Sequence, residues 1–232
     1  MKNTAAQDLL AQLAPEGLIV EGQGWQQRKS AQTRVAILEA AIDCLQIHGY
    51  ARTTTQLIAE TAGISRGAML HHYATKQELI ASLIDYVFYR RMEGFLARID
   101  ALTESERVEQ HAGIELYWQS LLTREFAAAM QLGMAGRTDA ELREILMPKH
   151  RRYDQIERET VLQAFPEWQD KPELYGLAMD FCIAAMEGLL LNRDVWDDRR
   201  RRRAFRALIS NTILMIRDGQ IKPPTAGDFS DD

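Results

Sequence analysis

The sequence predicts an all-α protein in which a three-helix N-terminal module of helix-turn-helix type precedes a larger helical body. Three observations carry this. Apolar residues recur at three- and four-residue intervals through most of the 232 residues. Gly (14) and Pro (6) are too sparse for a many-turned β fold. And the stretch Thr53 to Lys76 holds two short helical patterns joined by Ala62-Gly63-Ile64-Ser65, with a third helix start behind them.

In chain order, residues 1–27 mix a short amphipathic piece (Leu9, Leu10, Leu13) with Pro15, Gly17, Gly22 and Gly24, and read as a flexible arm with a helical turn or two. From Ser30, a possible N-cap, Ile37, Leu38, Ala41, Ile42 and Leu45 mark the first regular helix, which Gly49 stops. Thr54 caps a second helix carrying Leu57, Ile58 and Ala62, ended by Gly63. Ser65 caps a short third helix, roughly Arg66 to Tyr73. Thr75 and Glu78 form a Thr-x-x-Glu capping box opening a fourth. Counted from the Thr75 cap and running through Leu79 to Ile99, that helix has about 25 residues and spans more than 35 Å, enough to leave one domain and enter another.

Further helices are expected at about 105–122, 124–137, 139–165, 173–192 and 199–218, with Pro148 kinking or dividing the third of these. The expected segments are therefore a flexible arm (1–27), a helix-turn-helix module (28–80), a larger helical body (81–221) and a disordered acidic tail (222–232).

Charge is uneven. Between Gln26 and Met92 eight basic residues face five acidic ones, a local +3 on a chain whose net charge is −5. A basic module on an acidic body can still meet phosphates. Cys44 and Cys182 lie far apart in apolar helical patterns without metal spacing, and read as buried free thiols. The N-terminus lacks a signal peptide's apolar core and no run of about 18 apolar residues occurs, so a cytoplasmic protein outside the membrane is expected. A cofactor, a metal site and an enzyme are not expected. There is no His-x-x-x-His pair and no Gly-rich phosphate loop.

A helix inserted in the major groove must be anchored on one face and exposed on the other. Ile64, Met69 and Tyr73 can anchor the Ser65 to Tyr73 helix, leaving Arg66, Gly67, Ala68, His71 and His72 for the groove. Arg66 can pair with guanine or hold a phosphate, while Gly67 and Ala68 keep the surface low. Thr54 and Gln56 at one helix start, Ser65 at the next and Lys76 at a third suit phosphate contacts. Adjacent helical residues point about 100° apart, which argues against His71-His72 as a metal pair. A solvated helix end stands beside DNA contact for them, and contact by at least one is the reading adopted.

The stretch resembles the N-terminal domain of TetR-family transcriptional regulators. The shared elements are Thr53-Thr54, Ile58-Ala59, Ala62-Gly63-Ile64-Ser65, Tyr73 and Thr75-Lys76-Gln77-Glu78-Leu79, within about Thr33 to Leu83. The resemblance implies a homodimer, two recognition helices on a pseudo-palindromic double-stranded operator, and a C-terminal ligand pocket that resets their spacing. Many members carry Tyr where Leu70 stands and Thr or Ser where Ala68 stands. Without those hydroxyls, more of the affinity falls to Thr54, Gln56, His72, Tyr73 and Lys76.

In the body, residues 173–192 are apolar almost all round and 199–218 supply a companion stripe. Phe181, Ala184, Ala185, Gly188, Phe205, Ile209 and Ile213 are the expected four-helix dimer interface, with an intramolecular core as the alternative. The run Arg199 to Arg203 reads as a solvated helix start neutralised by Asp194, Asp197 and Asp198. Trp118, Leu122, Phe126, Met130, Met134 and Tyr153 are pocket candidates, although residues of this kind at helical spacing are more often core than ligand contacts. Their Met and aromatic content points to a small hydrophobic or aromatic effector, oriented by one of Glu115, Arg124, Arg137 or His150. Together these features predict an effector-released repressor. A DNA-binding regulator or architectural protein controlled by a protein partner is the alternative.

Overall fold

The computed structural model describes residues 4–18, 25–107 and 112–221. All regular elements among them are helical: α1 (Thr4–Gln12), α2 (Trp25–His48), α3 (Thr55–Thr61), α4 (Arg66–His72), α5 (Lys76–Ala101), α6 (Glu104–Arg107), α7 (Ala112–Leu121), α8 (Arg124–Ala135), α9 (Ala140–Ala164), α10 (Pro172–Leu191) and α11 (Arg199–Arg217). Packing groups them into two compact units, Met1–Asp100 with Leu122–Glu157 and Ala101–Leu121 with Arg158–Asp232. The expected disordered tail, 222–232, lies outside the described residues.

In the first unit the periodic positions of α2 do what their spacing demands: Ile37, Leu38, Ala41, Ile42 and Leu45 are wholly buried. Each of these Ile and Leu side chains contributes about 1.5–3 kcal/mol on leaving water. Two expectations need correction. Ser30 is not a cap, because α2 begins a turn and a half earlier at Trp25. The described part of the leading arm is a docked helix, α1, whose Ala6, Leu9, Leu10 and neighbouring Leu13 are buried. The Arg152 guanidinium donates to the Gln12 carbonyl at 2.6 Å, tying the end of α1 to α9.

Gly49 stops α2 as expected, at φ +72°. Helix α8 then packs along α2, and charge reinforces the contact. Arg124 donates to Asp43 at 2.7 Å and also pairs with Glu39, which accepts from the Tyr86 hydroxyl at 2.5 Å. Burial works against the Arg124 charge, but the two carboxylates hold its pKa above the ordinary guanidinium value. Arg124 is thereby committed to the protein, which corrects its expectation as an effector-orienting group. Pro148 sits inside α9 without dividing it. Its missing N–H leaves a carbonyl one turn back without its helical donor.

The second unit is built on α7, α10, α11 and the end of α9. Trp168, Tyr175, Ala178 and Ile216 form its core, and the Tyr175 hydroxyl donates to the Arg158 carbonyl at 2.8 Å. Helix α10 has mean hydropathy 1.6, enough by length and composition to cross a membrane. It nevertheless carries Asp180, paired with Arg158 at 2.6 Å, and buries Tyr175, Ala178, Cys182, Met186 and Leu189 along one stripe, as a core helix does. Both cysteines are buried thiols outside any disulfide, as expected. At the arginine run, Asp198 caps α11 by accepting from the Arg200 amide at 2.8 Å. Arg202 closes the preceding loop on the Arg193 and Trp196 carbonyls, and Arg201 lies 4.5 Å over the Trp196 ring.

Candidate nucleic-acid interface

Local chemistry fixes the reading head. The Thr54 hydroxyl accepts from the Leu57 amide at 3.1 Å, opening α3. At the other end Ile64 N–H reaches the Ala59 carbonyl and Gly63 N–H the Glu60 carbonyl, the paired bonds of a Schellman stop. That stop needs a left-handed residue, and Gly63 adopts φ +67° with nothing within 4 Å of where a Cβ would stand. The Ser65 hydroxyl then accepts from the Ala68 amide at 3.1 Å, opening α4. The capping box forms too: Glu78 N–H donates to the Thr75 hydroxyl at 3.1 Å, and the Glu78 carboxylate accepts from the Ala74 amide at 2.9 Å.

This corner presents one face of α4. Met69 (1% exposed) and Tyr73 (6%) anchor it, while Ser65, Arg66, Gly67, Ala68, Leu70 and His71 are exposed. Tyr73 therefore stands with the anchors, and burial pushes its hydroxyl pKa up to about 12. His72 is half-buried and its pKa lies below the usual histidine value through burial, with His71 and Arg34 adding to the effect. Thr54 and Gln56 are exposed beside the helix, with the Gln56 amide donating to Glu60 at 2.6 Å. Lys76 is exposed, its ammonium 5.4 Å from the Tyr50 ring centroid. Sequence reasoning missed Tyr50. Its place after Gly49 was visible, but its packing under a lysine 26 positions later was not.

The pocket candidates fall in both units. Phe126 and Tyr153 sandwich the Arg91 guanidinium at 5.0 and 4.7 Å, and Tyr153 stacks on Phe88, which also carries His150. Partial burial, then Arg91, lower the His150 pKa. Met130 is half-buried in the same unit, whereas Leu122 and Met134 are exposed. Trp118 belongs to the second unit, where the Arg206 guanidinium covers its ring at 4.9 Å and pairs with Glu115 at 3.5 Å. Arg137 is exposed. Phe88 and Arg91 sit at helix positions that the sequence marks only as core and surface, so neither was singled out.

Of the expected dimer residues, Phe181 and Ala184 are exposed and Ala185, Gly188, Phe205 and Ile213 are half-buried. Ile209 is 1% exposed and belongs to the protomer's own core, a correction that follows from its facing the packed side of α11. Exposed Leu191, Leu208 and Met215 extend the uncovered apolar surface.

Comparison with known proteins agrees with this geometry. The family described as bacterial regulatory proteins, tetR family, matches residues 37–83. An HTH-type transcriptional regulator of Mycobacterium tuberculosis is 30% identical over 121 residues, 52% of this chain and 62% of that protein. The HTH-type transcriptional repressor AcnR of Corynebacterium efficiens is 30% identical over 119 residues, 50% of this chain and 56% of its own length. The chain thus spans about six-tenths of the curated relatives it matches. A transcriptional regulator of Saccharomonospora viridis, solved in complex with choline, shares the fold with a TM-score of 0.58 at 18% identity, covering 79% of this chain and 96% of that one. Within residues 37–83 the helix-turn-helix module of this chain is thus similar to that of the tetR family of bacterial regulatory proteins.

Proposed function

We propose that the chain is a sequence-specific DNA-binding transcriptional repressor that works in the cytoplasm as a homodimer and leaves its operator when a small hydrophobic or aromatic effector binds. The observation that carries this is the α4 face: Arg66, Gly67, Ala68 and His71 exposed on a helix anchored by Met69 and Tyr73. Exposed Thr54 and Lys76 flank it at two further helix starts. Such a face admits base edges closely, and the flanking groups fix its register on the phosphates.

For the dimer, support comes from the uncovered apolar surface of α10 and α11, where a Cβ at Gly176 or Gly188 would meet nothing within 4 Å. For the effector, support comes from the aromatic cluster Phe88, Phe126 and Tyr153 around Arg91, in the unit that also carries the reader. The likeness to a fold neighbour that holds choline is consistent with a ligand-responsive body. A coupling of about 1–3 kcal/mol between effector and operator is enough to change occupancy several- to a hundred-fold.

Selection of bound duplexes from a random pool tests the reading. An inverted repeat with half-sites about one helical turn apart is expected, and loss of that binding on titration with small aromatic compounds should follow. Failure to enrich any sequence would refute DNA reading. Enrichment without any effector-sensitive release would favour control by a protein partner.

A further inference from the structure

The start of α5 is held by residues outside the 37–83 segment that matches the family. The Gln77 side-chain amide donates to the Glu141 carboxylate at 2.6 Å, a bond across 64 positions of sequence that ties the first turn of α5 to the first turn of α9. A second tie concerns Lys76, whose ammonium stands 5.4 Å from the Tyr50 ring centroid. Tyr50 is half-buried, and its pKa is raised by burial first and then by Asp139 and Glu141, so both carboxylates lie near its hydroxyl. Asp139 is itself fixed to α9, where it accepts from the Leu142 amide at 3.0 Å. Helix α8 closes on the same turn: a Cβ at Gly49 would stand 3.2 Å from the Gln131 side-chain oxygen. All of these residues belong to one compact unit.

These contacts bear on Lys76. It is an exposed, long side chain at a helix start, and such a chain gives up rotamer freedom when it settles on a phosphate. The Tyr50 ring under its ammonium, and a first helical turn fixed through Gln77, leave less to be ordered on binding. Glu141 acts with two opposite signs: its charge repels DNA, whereas its hydrogen bond organises the group that holds DNA.

We propose that Glu141 is a positioning residue for operator binding: by holding Gln77 it fixes the first turn of α5, and with it the Lys76 ammonium, where a backbone phosphate docks. Asp139 serves the same end through Tyr50, the ring on which Lys76 rests. The start of α9 thereby supplies part of the phosphate contact without touching DNA. The contribution carries no sequence information and appears as affinity and salt dependence.

The proposal rests on the repressor reading, and the test separates the two. An operator duplex selected by the parent chain is titrated, by fluorescence anisotropy at several salt concentrations, with the full-length Glu141→Ala and Glu141→Gln chains. Both lose the charge, but only Gln keeps an oxygen that can accept from Gln77. Glu141→Ala should therefore bind about five-fold more weakly than Glu141→Gln, with a log–log salt slope shallower by about 0.9, the share of one phosphate contact. With Lys76→Ala added to each, the difference should vanish. Gln77→Ala removes the same bond from the other helix and keeps the test open if a Glu141 variant misfolds. It deletes a neutral side chain, yet it should lower the parent's slope by the same amount. Equal affinity and slope for the two Glu141 variants overturn the proposal and leave the repressor reading standing. So does a difference that survives the loss of Lys76, or a Gln77→Ala chain with the parent's slope. A parent chain that selects no operator overturns the repressor reading and this inference with it.

Discussion

Gly67→Ala separates folding from recognition because the two respond with opposite signs. Gly67 is the second residue of α4 and adopts ordinary helical backbone, so glycine is not required there by conformation. A Cβ at this site would have the Ser65 hydroxyl oxygen as its nearest neighbour at 3.9 Å, an ordinary van der Waals contact. Alanine restricts the unfolded chain, and it should stabilise the module by about 0.5–1 kcal/mol. On DNA the same methyl stands between Arg66 and Ala68 on the face that approaches the bases. Wedging a methyl into a packed contact costs about 1–3 kcal/mol, a five- to hundred-fold loss of operator affinity. Urea unfolding with anisotropy titration on one sample measures both. A more stable variant with undiminished operator binding would refute the placement of Gly67 at the interface.

Three further substitutions probe the same framework. Gly63→Ala meets no steric obstacle but forces an L residue to φ +67°, so it should cost about 1–2 kcal/mol of stability in urea melts, and a change under 0.3 kcal/mol would remove the Schellman argument. The free-state pKa of His72 lies below the ordinary 6.5, and a neighbouring phosphate would raise it in the complex. Binding then takes up a proton, so operator affinity should rise as pH falls from about 7.5 toward the free-state pKa, and His72→Gln should flatten that profile. Arg124→Ala should cost about 1 kcal/mol or less, given the partial exposure of Arg124 and Asp43, with a double-mutant cycle against Glu39→Gln showing coupling that fades in high salt.

The reading head was legible because its rules are local. Caps at Thr54, Ser65 and Thr75, the glycine stop at Gly63 and the anchoring of α4 by Met69 each depend on residues within one turn of each other, and each appears as the spacing implied. What depended on distant packing was not legible. Nothing in the sequence near Ser30 announces that α2 starts at Trp25, nor that Leu9, Leu10 and Leu13 find a surface to bury against. Arg124 looked free to greet an effector until α8 was seen against Glu39 and Asp43 of α2. The proposed pocket candidates shared helical periodicity, which core packing produces equally well, and only the fold separates Trp118 from the Phe126–Tyr153 cluster.

The central claim is that α4 reads bases while the helix starts around it hold phosphates. Comparison of Arg66→Ala and Lys76→Ala on a set of single-base operator variants, at two salt concentrations, tests it most directly. Arg66→Ala should cost about 1–3 kcal/mol and relax specificity at one position in each half-site, while Lys76→Ala should weaken all sequences alike and lower the salt slope by about 1. If the doubly substituted chain keeps the parent's affinity, specificity and salt slope, the assignment of Thr53 to Lys76 as the reading head is wrong.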